Sequence, residues 1–312
     1  MTYALQVKNE LARLKQGRKC CQMAELTAFL RFSGSINISG KNISLNVITA
    51  NPAVARRIFK LFKRLFGLNS ELIVRRKSRL QKNNVYLIRI ARTGRIFNVL
   101  GQLGLLKDGV LCRELPEAVH RKKCCRRAYL RGAFLAAGSI SNPESSYHLE
   151  IYTDYQQHAD DLAAVAATFG LQAKVKSRKN KYLVYIKDSE QIVEFLNISG
   201  AHSALLGFEN IRILKDIRNH INRLVNFETA NVGKTVKASV RQIQAIRRIE
   251  EQCGLDSLDP ALRDIARLRL QNPEASLAEL GEMLQPPLGK SGVNHRLRKI
   301  ERISKGLAEN NK

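Results

Sequence analysis

The chain has 312 residues, 44% hydrophobic and 26% charged, which excludes a disordered polymer and fits a soluble globular protein of two or three domains. Its 53 Lys and Arg against 27 Asp and Glu leave a formal charge of +26, which asks for a polyanionic partner, nucleic acid first. Lys8, Glu10, Arg13 and Lys15 interrupt the N-terminus, and the longest mostly apolar run, Leu162 to Leu171, is about half of the ~20 residues a bilayer span needs. Secretion and a membrane role are therefore not expected, and a cytoplasmic, nucleoid-associated protein is.

The charge is concentrated. Residues 1–104 carry 20 basic and 3 acidic side chains, a net +17, whereas 105–200 and 201–312 carry +3 and +6. Six cysteines fall at Cys20, Cys21, Cys112, Cys124, Cys125 and Cys253 without any CxxC pair, so they read as free thiols of a reducing compartment. The histidines show no ligand spacing either. No metal, no cofactor and no small-molecule substrate are expected.

Cys20 to Ile36 (CCQMAELTAFLRFSGSI) lies over Cys124 to Ile140 (CCRRAYLRGAFLAAGSI) with one offset of 104, no gaps, and seven of seventeen positions identical. In copy one, strands are predicted at Ser35–Ile38 and Ile43–Thr49, a helix at Pro52–Phe66, strands at Glu71–Arg79 and Val85–Arg92, and a helix at Arg95–Leu103. In copy two the same order falls at Ser139–Asn142, Tyr147–Thr153, Tyr155–Phe169, Gln172–Ser177, Tyr182–Lys187 and Glu190–Asn197. Each unit, counting its opening helix, reads α-β-β-α-β-β-α. Small residues recur every four positions on the opening helices, at Cys20, Ala24 and Ala28 and at Cys124, Ala128, Gly132 and Ala136. Such stripes let two helix backbones approach closely, as a pseudo-twofold pair.

Leu130 to Gly138 (LRGAFLAAG) clearly resembles the LAGLIDADG motif of homing endonucleases, and Leu26 to Gly34 (LTAFLRFSG) resembles it more weakly. The resemblance implies an α+β scaffold in which the two motif helices form the core interface and two antiparallel sheets lie along DNA. Cleavage in that family depends on an acid just before the final glycine of each motif. Here those positions are Ser33 and Ala137, and the other acidic position is Arg31 or Leu135. A hydroxyl and a methyl cannot hold the hard cations of phosphodiester chemistry, so a nuclease scaffold without catalytic residues is expected.

The sheets retain basic residues suited to phosphate: Arg75, Arg76, Lys77, Arg79, Lys82 and Arg89 in copy one, and Lys174, Lys176 and Arg178 in copy two. Copy one, being richer in charge, is expected to supply more of the salt-dependent affinity. An exposed basic edge that merely opposes aggregation is the competing account.

Residues 201–225 read as a connecting helix and Asn226 to Thr235 as a hinge. An all-α domain follows, with helices marked by Val240 to Ile249 and by Leu262 to Leu270. A capping box at Ser276 and Glu279 opens a short helix burying Leu277, Leu280 and Met283, then comes a turn at Gln285 to Gly289 and a last helix at Lys290–Ile303. Val293, Leu297 and Ile300 face inward. Ser276, Lys290, Ser291, Asn294, His295, Arg296, Arg298, Lys299 and Arg302 are the candidate DNA-contacting residues of this helix-turn-helix. Ser291 as a simple cap and His295 as a plain surface residue remain open.

The expected domains are thus 1–104, 105–200, a connector and hinge at 201–235, and the helix-turn-helix at 236–312. Arg131 to Ile140 (RGAFLAAGSI), Asn231 to Thr235 (NVGKT) and Gly289 to Ile300 (GKSGVNHRLRKI) make the whole chain resemble the WhiA family of sporulation and cell-division regulators. That resemblance implies a non-enzymatic, duplex-DNA-binding regulator of cell division, chromosome segregation or sporulation transcription, with transcription or division proteins as further partners. The alternatives are an active homing endonuclease or RNA maturase, and a protein-binding scaffold of the division or transcription machinery.

Overall fold

A computed structural model describes residues 2–39, 42–76, 84–91 and 93–309. The chain divides into two compact units, residues 1–215 and 216–312.

The first unit holds both copies. In copy one, helix α2 (Lys19–Ser33) runs directly into β1 (Gly34–Ser39), followed by β2 (Asn42–Thr49), α3 (Pro52–Phe66), β3 (Glu71–Arg76), β4 (Asn84–Ile90) and α4 (Thr93–Gln102). Copy two repeats this with α6 (Lys123–Ala137), β7 (Gly138–Ile140), β8 (Leu149–Thr153), α7 (Gln156–Ala167), β9 (Lys174–Arg178), β10 (Lys181–Ile186) and α8 (Ser189–Ser199). The sheet orders β1-β2-β4-β3 and β7-β8-β10-β9 correspond strand for strand, and all pairings are antiparallel. The expected α+β, two-copy scaffold is therefore the observed one.

Local chemistry fixes the element ends. Asn51 caps α3 by accepting from the Ala53 and Val54 amides at 2.8 and 3.2 Å, Pro52 opens it, and Gly67 ends it at φ +63°. At the helix-to-strand joints a side chain has no room: a Cβ on Gly34 would lie 2.4 Å from the Leu30 carbonyl oxygen, and one on Gly138 2.6 Å from that of Phe134.

Helices α2 and α6 pack against each other along the small-residue stripes, with Ala24, Ala28 and Ala128 buried. A Cβ at Gly132 would fall 2.6 Å from the Glu25 carbonyl oxygen and 2.8 Å from the Ala28 Cβ, so the backbones touch there. Around this seam Phe29, Phe134, Ile58 and Leu162 close a single apolar core that both copies share.

Four elements of the first unit lie outside the expected set. Helix α1 (Tyr3–Arg13) packs Val7 and Leu11 into the core, and its Glu10 carboxylate accepts from the Ser203 and Ala204 amides at 2.7 and 2.9 Å. The two-residue strands β5 (Leu106–Lys107) and β6 (Val110–Leu111) form a small hairpin, and α5 (Glu117–Arg121) precedes α6. The last three are too short to show a period in sequence.

Helix α9 (His202–Cys253) is continuous through the expected hinge. Residues 226–235 contain no proline and a single glycine, whose cost of about 1 kcal/mol cannot break a helix of that length. In the second unit, the end of α9, α10 (Pro260–Gln271), α11 (Leu277–Glu282) and α12 (Lys290–Glu309) enclose a core of Ile246, Ile249, Ile265, Leu280, Val293, Leu297 and Ile300. Met283 was expected in that core and is instead 47% exposed, because α11 ends at Glu282 and the chain turns away.

Candidate nucleic-acid interface

The helix-turn-helix is held by its turns. Ser276 accepts from the Glu279 amide at 3.3 Å while the Glu279 carboxylate accepts from the Ser276 amide at 2.7 Å, which lowers the Glu279 pKa. Gly281 meets the Leu288 carbonyl so closely that a Cβ would stand 2.0 Å from its oxygen. The Arg269 side chain, buried and overlooked in the sequence, donates to the Ala275 carbonyl at 2.7 Å and fastens the loop before α11.

With Val293, Leu297 and Ile300 buried, α12 exposes Lys290, Ser291, His295, Arg298, Lys299 and Arg302, while Asn294 and Arg296 are half-buried. Ser291, His295, Arg298 and Arg302 follow the i, i+4, i+7, i+11 spacing of one helical stripe. Arg296 donates to the Ala261 carbonyl at 3.4 Å and Lys299 pairs with Asp259 at 3.3 Å. Exposed pairs of this kind are worth about 0–1 kcal/mol, so a phosphate can compete for Lys299. Lys290, Ser276 and Lys234 line one recess of about 290 Å³ at the helix starts.

On the first sheet, Arg75 and Arg89 are exposed on the face away from the core, where the register sets Arg89 beside Asn46 and Glu71. Arg76 occupies the last pair of β3, opposite Asn84, whereas Lys77, Arg79 and Lys82 lie outside the described residues. On the second sheet Lys174, Lys176 and Arg178 alternate along β9 and all are exposed on one face. Tyr185 and Tyr152 share that face, as does Glu150, which accepts from the Tyr152 hydroxyl at 3.1 Å and lies 3.1 Å from His148 Nε2. Burial and that carboxylate raise the Tyr152 pKa.

A second basic surface went unnoticed in the sequence. Arg13, Lys15, Arg56, Lys60 and Arg64 surround a recess of about 640 Å³ between the end of α1 and α3. The α3 members were read only as a helix, although their i, i+4 spacing on its outer side marks a charged stripe.

At the motif ends, the Ser33 hydroxyl donates to the Phe29 carbonyl at 3.0 Å and Ala137 is half-buried. Arg31 does not stand free beside them: it is buried, donates to Asp161 at 2.5 Å and to the Arg113 carbonyl at 2.6 Å, and lies over the Tyr129 ring. Asp161 is thereby neutralised. Among the described residues no group of carboxylates sits at the helix ends, and the one set of side chains arranged to share a metal is the four thiols of Cys20, Cys21, Cys124 and Cys125.

Family models match the chain throughout: the WhiA N-terminal LAGLIDADG-like domain at residues 19–106, the WhiA LAGLIDADG-like domain at 126–218, and the WhiA C-terminal HTH domain at 221–304. The chain belongs to the WhiA family. Within it, the "Probable cell division protein WhiA" of Desulforamulus reducens is 53% identical, covering 98% of this chain and 96% of that protein. The protein of the same name from Heliobacterium modesticaldum is 51% identical over 99% and 97%. The crystal structure of full-length DUF199/WhiA from Thermatoga maritima superposes with a TM-score of 0.61 at 26% identity, covering 98% of both chains. Thus the two LAGLIDADG-like lobes and the helix-turn-helix are WhiA features, and no helix among the described residues is long and apolar enough to cross a membrane.

Proposed function

We propose that this protein is a non-enzymatic, duplex-DNA-binding regulator of cell division. Its helix-turn-helix reads sequence, and its degenerate nuclease scaffold adds phosphate contacts. The exposed stripe of Ser291, His295, Arg298 and Arg302 carries this reading, since it combines base-edge donors with phosphate-binding charge on a helix whose opposite side is fixed in a core. The relatives named for cell division supply the process. Chromosome segregation, sporulation transcription in spore formers and a nucleoid location within the cytoplasm are finer readings of the same activity.

Ser33 and Ala137 bring no carboxylate to the motif ends, which argues against the endonuclease. A protein-docking role for the scaffold draws on Ile48, 50% exposed on the outer face of the first sheet opposite Leu87. The test is selection of fragmented genomic DNA by the full chain in magnesium buffer, with sequencing of retained fragments and their ends. Discrete peaks with intact ends are expected. Specific cut ends would overturn the non-enzymatic reading, and diffuse retention would overturn sequence reading by α12.

A further inference from the structure

Cysteine doublets open both motif helices at the same place in the repeat, Cys20-Cys21 on α2 and Cys124-Cys125 on α6. Neighbouring residues on a helix point about 100° apart, so one doublet cannot wrap an ion by itself. Packing α2 on α6 removes that obstacle, because two divergent pairs from facing helices enclose a common centre. All four Sγ atoms lie within 4.8 Å of one another.

We propose that Cys20, Cys21, Cys124 and Cys125 form a closed four-thiolate site for one zinc-class ion, which staples the two LAGLIDADG-like lobes at the start of their shared helix pair. Tetrahedral zinc with bonds of about 2.3 Å holds its sulfurs about 3.8 Å apart, so the thiols need to draw in by about 1 Å at most. A polynuclear iron–sulfur cluster spreads its thiolates farther and fits less well. Cys21 and Cys125 are buried, 8% and 1% exposed, and Cys20 and Cys124 are half-buried, which describes a structural site with no open position for substrate.

The surroundings suit the bound form. Four thiolates around a divalent cation carry a net charge of −2, and Arg18, Lys19, Lys122 and Lys123 flank the doublets, all exposed. The helix N-termini add positive potential. Without an ion the four sulfurs are crowded together as one another's neighbours. Binding an ion displaces the thiol protons to solvent, with no change of oxidation state. A recess of about 340 Å³, lined by Cys20, Lys19, Met23 and Pro116, gives a path inward.

The test uses the full chain, expressed with zinc and purified in reducing buffer without chelator. Elemental analysis should give one zinc per chain. Exchange into cobalt(II) should produce intense visible bands of tetrahedral cobalt and near-ultraviolet thiolate-to-cobalt charge transfer. A native thiol titration should find only Cys112 and Cys253, rising to all six cysteines after denaturation with chelator. Cys20→Ser/Cys124→Ser should lose the metal, whereas Cys253→Ser, outside the cluster, should keep it. If the double variant does not fold, the wild-type stoichiometry and cobalt spectrum decide alone. Native chain with four further titratable thiols and no zinc, or with two disulfides by mass, would overturn the proposal.

Discussion

Helices α3 and α7 occupy corresponding places in the two copies, at the same offset of 104, yet their chemistry is opposed. α3 carries Arg56, Arg57, Lys60, Lys63 and Arg64 and no acid, whereas α7 carries Asp160 and Asp161 and no Lys or Arg. The inversion is sharpest where Arg57 corresponds to Asp161. Arg57 pairs with Glu25 and Asp161 with Arg31, and both partners belong to α2. Arg131 of α6 then joins the same Glu25 at 2.9 Å. The two lobes keep a charge at one locus and swap its sign, so the weaker copy of the motif, α2, became the electrostatic centre of the scaffold.

Glu25 is 1% exposed and serves two arginines from different copies, so Glu25→Ala leaves two cations short of a partner. A loss of about 3–5 kcal/mol is expected in denaturant unfolding, against about 1–3 kcal/mol for Asp161→Ala, whose pair is less enclosed. Equal losses would show that α2 is no hub.

For the division of labour between the units, Arg298→Ala should weaken specific DNA binding by about 1–3 kcal/mol and leave non-specific binding nearly unchanged. An unaltered specificity ratio would remove Arg298 from the readout.

The sheets can be set against each other at equal charge. Arg75→Ala/Arg89→Ala should lower the slope of log K against log salt by up to about 1.8, and Lys174→Ala/Lys176→Ala by less, because residues 1–104 carry a net +17 and residues 105–200 only +3. A larger change from the second pair would reverse the expectation that copy one contributes more.

The smallest effect concerns His158, which stands where copy one has Val54. Burial first, then the nearby Arg31 and Arg113 charges, lower its pKa to about 4, against opposing contributions from Asp161 and from its hydrogen bond to the Arg31 carbonyl at 3.0 Å. The folded chain holds it neutral, so its contribution is full above the unfolded value of about 6.5 and is lost as pH falls from there towards about 4. His158→Val should flatten that part of the stability profile, seen as a smaller drop in Tm between pH 7 and 5. An unchanged profile would place the titration elsewhere.

Much of the fold was legible because its signals are local or repeated. The Pro52–Phe66 helix was expected at its observed bounds, and the inward row Val293, Leu297 and Ile300 follows directly from helical spacing. Asn226 to Thr235 looked like a hinge yet continues α9, because one glycine does not break the helix, and Arg31 meets Asp161, 130 residues away, a pairing that no local signal announces.

By itself the sequence determined a basic two-copy LAGLIDADG-like scaffold followed by a helix-turn-helix, since periodicity, turn residues and the 104-residue repeat are properties of chain order. Tertiary structure alone decided what crosses between the copies. The Glu25 network and the four-thiol cluster join side chains of both copies, because the contact of α2 with α6, close enough at Gly132 to exclude a Cβ, is what brings them together.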